Sequence, residues 1–87
     1  NVPGRTVIHL QIPTVAKLAQ HPNIIGIKDA SSIENAQELA RACPENFLLL
    51  SGDDNLVTTS ASIGFRGVIS VIANAFPKEF GEMTWAA

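Results

Sequence analysis

The 87-residue chain has one cysteine, Cys43, so no disulfide can form within it, and such sparse use of cysteine fits a reducing compartment. No apolar run approaches the roughly 18 residues of a membrane span, and no signal-peptide pattern opens the sequence. Neither sign of charge dominates. Six Lys and Arg against eight Asp and Glu leave a net charge of −2, which points to neither nucleic acid nor an anionic membrane. Low-complexity tracts are missing, and 46% hydrophobic with 16% charged residues describes an ordered chain of one small domain at most. No glycine pattern matches a phosphate loop or a dinucleotide fingerprint. His9 and His21 have neither ligand nor base spacing. The adjacent Asp53 and Asp54, with no histidine near them, read as a turn and helix cap rather than a metal pair. No metal and no cofactor is called for. Cys43, before Pro44, reads as a packing residue, and Trp85 and the phenylalanines read as core.

What is present is an alternation of strand and helix signals. Ile24 to Lys28 is an apolar, β-branched run of strand length that does not alternate, so it predicts a strand covered on both faces. Before it, Thr6 to Leu10 is loop or short extended chain, Pro13 opens a helix, and His21-Pro22-Asn23 closes that helix. After it, Ser31 and Glu34 have the spacing of a capping box, and Ile33, Ala36, Ala40 and Cys43 form the apolar stripe of a helix stopped by Pro44. Phe47 to Ser51 predicts a second strand. Asp54 or Asn55 then caps a helix running to about Ile63, with Gly64 as its stop. Gly67 to Val71 predicts a third strand, and Phe76, Phe80, Met83 and Ala87 give a last helix its stripe.

Strands beginning near residues 24, 47 and 67 with helices between them predict a parallel α/β fold. Right-handed crossovers would set the strands side by side, with Lys28, Gly52-Asp53 and Ser70 at their carboxyl ends. Ligand chemistry collects at that edge in open sheets and barrels alike. Three strands cannot close a barrel and leave two edges bare. With Asn1 entering directly on Val2-Pro3-Gly4 and Trp85-Ala86-Ala87 ending within a helical pattern, residues 1–87 read as one partial barrel segment of something longer.

Lys28 is the residue that this edge makes interesting. An ammonium is costly to bury, so the ordinary expectation is that it snorkels to water at the strand end. The sharper expectation is an amine kept neutral by its surroundings, able to attack a carbonyl and form a Schiff base.

Four blocks now stand in order: Asn1-Val2-Pro3-Gly4-Arg5-Thr6, Gly26-Ile27-Lys28-Asp29-Ala30, Ser51-Gly52-Asp53-Asp54 and Gly67-Val68-Ile69-Ser70-Val71. In register, they closely resemble the dihydrodipicolinate synthase family, end to end, over a little under a third of a typical member. The resemblance implies part of a (β/α)8 TIM barrel, from the end of the fifth strand to the helix after the eighth, in a protein that is commonly a homotetramer. It implies a lyase that condenses pyruvate with aspartate semialdehyde in diaminopimelate and lysine biosynthesis, in a bacterial cytoplasm by default or a plastid. By the same resemblance Lys28 is the Schiff-base lysine and Arg5 helps position the carboxylate of the aldehyde substrate. The backbone of Ile69 lines the pyruvate pocket, and Gly52 lies beside it.

The family's catalytic tyrosine precedes the asparagine matched by Asn1, and this chain has no tyrosine. The remaining relay residues and the pyruvate carboxylate site belong to the family's first half, so the 87 residues alone are expected to be inactive. Two rivals share features. Other pyruvate-dependent class I aldolases, such as N-acetylneuraminate lyase or keto-deoxy-sugar acid aldolases, share the lysine strand, but the sialic-acid branch usually lacks the arginine matched by Arg5. A non-catalytic half-barrel assembly piece would share the bare sheet edges.

Overall fold

A computed structural model describes all of residues 1–87 and forms a three-stranded parallel sheet with helices against one face. The chain opens with a one-turn helix, α1 (Pro3–Thr6), started by proline and closed by Val7 in a left-handed conformation, φ 61°. Thr6 therefore belongs to this turn rather than to an extended piece. Helix α2 (Ile12–Leu18) carries Pro13 in its first turn, where the missing N–H costs no helical bond. Strand β1 (Gly26–Asp29) leads to α3 (Ile33–Ala42), and β2 (Leu48–Ser51) to a 3-10 turn (Asp54–Leu56) and α4 (Val57–Ala61). Strand β3 (Gly67–Val68) is followed by a second 3-10 turn (Ile72–Asn74) and α5 (Pro77–Ala86).

The strand order is β1-β2-β3, both pairs parallel, as the alternation predicts. Lys28 stands opposite Leu50, Asp29 opposite Ser51 and Ser51 opposite Val68. Side chains alternate across a strand, so this register puts Lys28, Leu50, Gly52 and Ile69 on one face and Ile27, Leu49 and Ser51 on the other. The second face holds the core. Phe47 and Leu49 meet Val15 of α2, Ala36 and Leu39 of α3, and Phe65, with Leu39 only 1% exposed.

Several local expectations are corrected. The strands are covered on one face only: Leu48 and Ile69, on the face of Lys28, are open to solvent. Their unbroken apolar character suits a face that these three strands alone cannot enclose. The first strand starts at Gly26, not Ile24, because the Ile24 N–H closes a turn on the His21 carbonyl. The N-cap of α3 is Ser32, whose hydroxyl accepts from the Asn35 N–H at 3.2 Å; Ser31 instead donates to the Asp29 carboxylate. Asp53, not Asp54 or Asn55, caps the turn before α4, accepting from the Asn55 N–H. That helix ends at Ala61, and Gly64 takes the positive φ, 108°, that turns the chain beyond it. Of the α5 stripe only Phe80 is buried.

The third strand stops at Val68 rather than Val71. Ile69 still donates to the Ser51 carbonyl, but the next amides are taken by a side chain: Val71 and Ile72 both donate to Asp54. With β2 ending at Ser51, these two consecutive N–H groups find their acceptor in one carboxylate rather than in a ladder.

Candidate active site at the carboxyl edge of the sheet

Lys28 is the third residue of β1, half-buried, on the open face of the sheet. Its stem runs over Gly52, which follows β2. A methyl group at Gly52 would stand 2.6 Å from Lys28 Cε, 3.2 Å from Lys28 Cγ and 2.9 Å from Ala30 Cβ. Gly52 is thus the floor on which the lysine lies, and the absence of a side chain there is what admits it. Ile69 continues the same face one strand further, its N–H bonded to the Ser51 carbonyl at 2.9 Å and its side chain 51% exposed. No N–H or hydroxyl of the chain donates to the Ile69 carbonyl. Three of the four expected site residues therefore meet at one edge.

Arg5 is placed differently. It is exposed on α1 and contributes its backbone N–H to the Val2 carbonyl. Its link to the lysine runs through Asn1. The Asn1 nitrogen donates to the Lys28 carbonyl at 2.8 Å, and the Ala30 N–H donates to the Asn1 carbonyl at 2.9 Å. Bonding to residues two apart is the pattern of a parallel neighbour, so Asn1 lies along the free edge of β1. The turn carrying Arg5 is held beside the strand that carries Lys28.

Asp29 anchors this arrangement from the helix side. It is 4% exposed and accepts from the Asn1 side-chain amide at 2.8 Å, the Ser31 hydroxyl at 2.7 Å and the Asn35 side-chain amide at 3.3 Å. A buried carboxylate with three donors is satisfied without a cation. It locks β1, the first residues and the start of α3 into one unit. Nothing in the local spacing singles it out, since its partners lie up to 28 residues away.

Asp54 does the same for the opposite side. Its Oδ2 accepts from the Val71 and Ile72 N–H groups at 3.1 and 3.0 Å. The nearby Ser70 hydroxyl, then these two amides, hold its carboxyl below its ordinary range against the opposing effect of burial. Cys43 lies at the far end of α3, and burial pushes its thiol up, which suits packing rather than nucleophilic chemistry. No three His, Cys, Asp or Glu side chains cluster so as to hold a metal ion.

Successive strand–helix units in parallel order, with a lysine lying across a glycine at the carboxyl edge, define a parallel (β/α) segment with a candidate site at that edge. A sequence profile of the dihydrodipicolinate synthetase family matches residues 1–87, and the chain belongs to that family. It is 51% identical over 84 residues to the 4-hydroxy-tetrahydrodipicolinate synthase of Desulfotalea psychrophila, covering 95% of this chain and 28% of that protein. The Neisseria meningitidis enzyme of the same name is 48% identical over 88 residues, covering 100% of this chain and 30% of that protein. Among solved structures, dihydrodipicolinate synthase from Aquifex aeolicus superposes with a TM-score of 0.94 at 35% identity, over 99% of this chain and 30% of that one. The Cyanidioschyzon merolae enzyme, solved with lysine bound, gives 0.87 at 40% identity, over 97% of this chain and 29% of its own. The fold is that of part of a (β/α)8 TIM barrel, and the chain spans 28–30% of the length of these curated relatives.

Proposed function

We propose that the protein carrying this segment condenses pyruvate with aspartate semialdehyde through a Schiff base on Lys28, a step toward diaminopimelate and lysine. The observation that carries the reading is the lysine stem laid across Gly52 at the carboxyl edge of the sheet, where (β/α) barrels do their chemistry. Family membership over the whole chain supports the choice of substrates.

The steps balance without an oxidant or a cofactor. The Lys28 amine adds to the keto carbon of pyruvate, and the carbinolamine takes up a proton and loses water to leave an iminium. The iminium draws electrons from the neighbouring methyl group, which releases a proton and becomes an enamine. The enamine carbon bonds to the aldehyde carbon, whose oxygen takes up a proton, and hydrolysis of the new iminium frees the lysine. Gly52 leaves the amine room to reach the keto carbon. Ile69 offers a free backbone carbonyl on the same face. Arg5 supplies a planar, bidentate donor for the carboxylate of the aldehyde substrate. General acid–base catalysis contributes about 10²–10⁴-fold in such reactions. These 87 residues hold no tyrosine for it, so we assign full activity to the longer protein and none to the segment alone.

We read residues 1–87 as a single barrel segment acting within a homotetramer in the cytoplasm. A free, unpaired Cys43 is in keeping with that compartment, and no helix is long and apolar enough to cross a membrane.

Pyruvate with borohydride, followed by peptide mass spectrometry on the full-length protein, tests the lysine. An adduct on Lys28 and none in Lys28→Ala is the expected result. Trapping at another lysine would end this assignment. Cleavage of sialic acid without turnover of aspartate semialdehyde would move the protein to another aldolase branch.

A further inference from the structure

Ile69 and Ser70 sit between two fixed points. On one side the Ile69 N–H is bonded to the Ser51 carbonyl; on the other, the Val71 and Ile72 N–H groups are bonded to Asp54 Oδ2. Asp54 lies two residues beyond Gly52, at the head of the 3-10 turn after β2. Its carboxylate therefore spans from the loop carrying Gly52 to the loop carrying Ile69, across 17 residues of sequence. Its other oxygen, Oδ1, is buried and bonded to no group. In this half-buried side chain one oxygen is thus committed to the two amides and the other is enclosed. The two captured amides have no other acceptor in the chain, and the Ser70 hydroxyl accepts from the Ala73 N–H at 3.0 Å, tightening the same bend. Without the tie, β3 has only two paired residues to hold the segment.

We propose that Asp54 is a positioning residue for the pyruvate site: by clamping the Val71 and Ile72 amides it fixes the Ile69 backbone, with its free carbonyl, against the Lys28–Gly52 edge. This rests on the Schiff-base reading of Lys28. A loop that wanders by an ångström at a reacting centre costs on the order of 10²-fold in rate. Asp54 itself touches no reacting atom. Its effect travels through the backbone, so it belongs on pyruvate handling before it reaches the aldehyde step.

The test uses the full-length protein with Asp54→Ala, Asp54→Asn and Val71→Pro. Val71→Pro deletes one captured N–H, which serves only Asp54, and leaves the carboxylate in place. The readouts are the rate of borohydride trapping with pyruvate at Lys28, the separate pyruvate KM and kcat, and thermal melting. Asp54→Ala is expected to slow trapping and lower kcat/KM for pyruvate by about 10- to 100-fold in protein that still melts cooperatively. Asp54→Asn keeps an acceptor oxygen and should recover most of the loss. Where Asp54→Ala does not fold, Val71→Pro reads the same tie and is expected to slow trapping in the same direction. Wild-type trapping at Lys28 with undiminished trapping in Asp54→Ala or Val71→Pro overturns the proposal. A change confined to the melting temperature overturns it equally. Wild-type protein that shows no adduct at Lys28 removes the underlying reading instead, an outcome that no Asp54 variant can mimic.

Discussion

Gly52 and Lys28 define one another. A Cβ at residue 52 would press on Cε of a flexible lysine and on Cβ of Ala30, and the lysine can swing away more cheaply than the backbone can move. Gly52→Ala is therefore expected to lower stability by only about 1–3 kcal/mol, the usual cost of overpacking, while displacing the amine. Borohydride trapping at Lys28 compared with a thermal melt separates the two effects: a full loss of melting cooperativity would show that the glycine serves the fold instead. At this scale the sequence was legible where residue type and neighbours coincide, as with a lysine ending an apolar strand and a glycine after the next one. The anchoring roles of Asp29 and Asp54 were not legible, because the bonds that tie distant segments together reach 28 residues from Asp29 and 17 and 18 from Asp54 and leave no local pattern. Asp54 also carries a pH signature. Its folded value lies below the ordinary 3.8, so its contribution to stability is complete above that value and is lost as pH falls through the lower folded one. Acid unfolding of Asp54→Asn should accordingly show a weaker loss of stability below about pH 4 than wild type, read by denaturant midpoints across pH.

Helix and strand identities follow from patterns that survive in any context, whereas their ends are set by single bonds. Ser31 and Ser32 both precede α3, and Ser31 has the better-looking spacing to Glu34. In the structure Ser32 is the cap, its hydroxyl accepting from the Asn35 N–H, while the Ser31 hydroxyl donates to the Asp29 carboxylate. Ser32→Ala should cost about 0.5–2 kcal/mol through loss of the cap. Ser31→Ala should cost its share of a charge-assisted bond and alter the Asp29 anchor instead. Helical hydrogen exchange near Asn35 distinguishes them, since only the first variant exposes that amide. Leu39 is the most enclosed side chain of the α2–α3–β2 core, so Leu39→Ala is expected to cost about 2–5 kcal/mol by urea denaturation. A cost below 1 kcal/mol would mean that this layer is not the main core. The third strand was expected to run from Gly67 to Val71, and it is short because β2 ends at Ser51 and the Val71 and Ile72 amides turn to Asp54 instead. Where a strand ends is settled by geometry, not by propensity.

As a whole, the 87 residues form a sheet with one finished face and one open face. Leu48 and Ile69 are exposed on the open side, the face that a closed barrel would turn inward, and Val7, Ile25, Val71, Phe76 and Trp85 are exposed elsewhere on the chain. An isolated 87-residue chain should therefore associate in a concentration-dependent way, seen by analytical ultracentrifugation, and should show no condensation activity. A monodisperse monomer at high concentration would contradict the first expectation, and turnover of pyruvate and aspartate semialdehyde would contradict the second. Asn1 bears on the same edge. Because it reaches the outer side of β1 through one bond in each direction, the Ala30 amide is shielded only while the leading residues stay docked, whereas the Gly52 amide is held by Asp29 from within the sheet. In deuterium the two amides run as paired clocks. If Ala30 exchanges early while Gly52 remains slow, the turn bearing Arg5 leaves before the sheet opens, and the ratio of the two rates measures how often the leading residues undock by themselves.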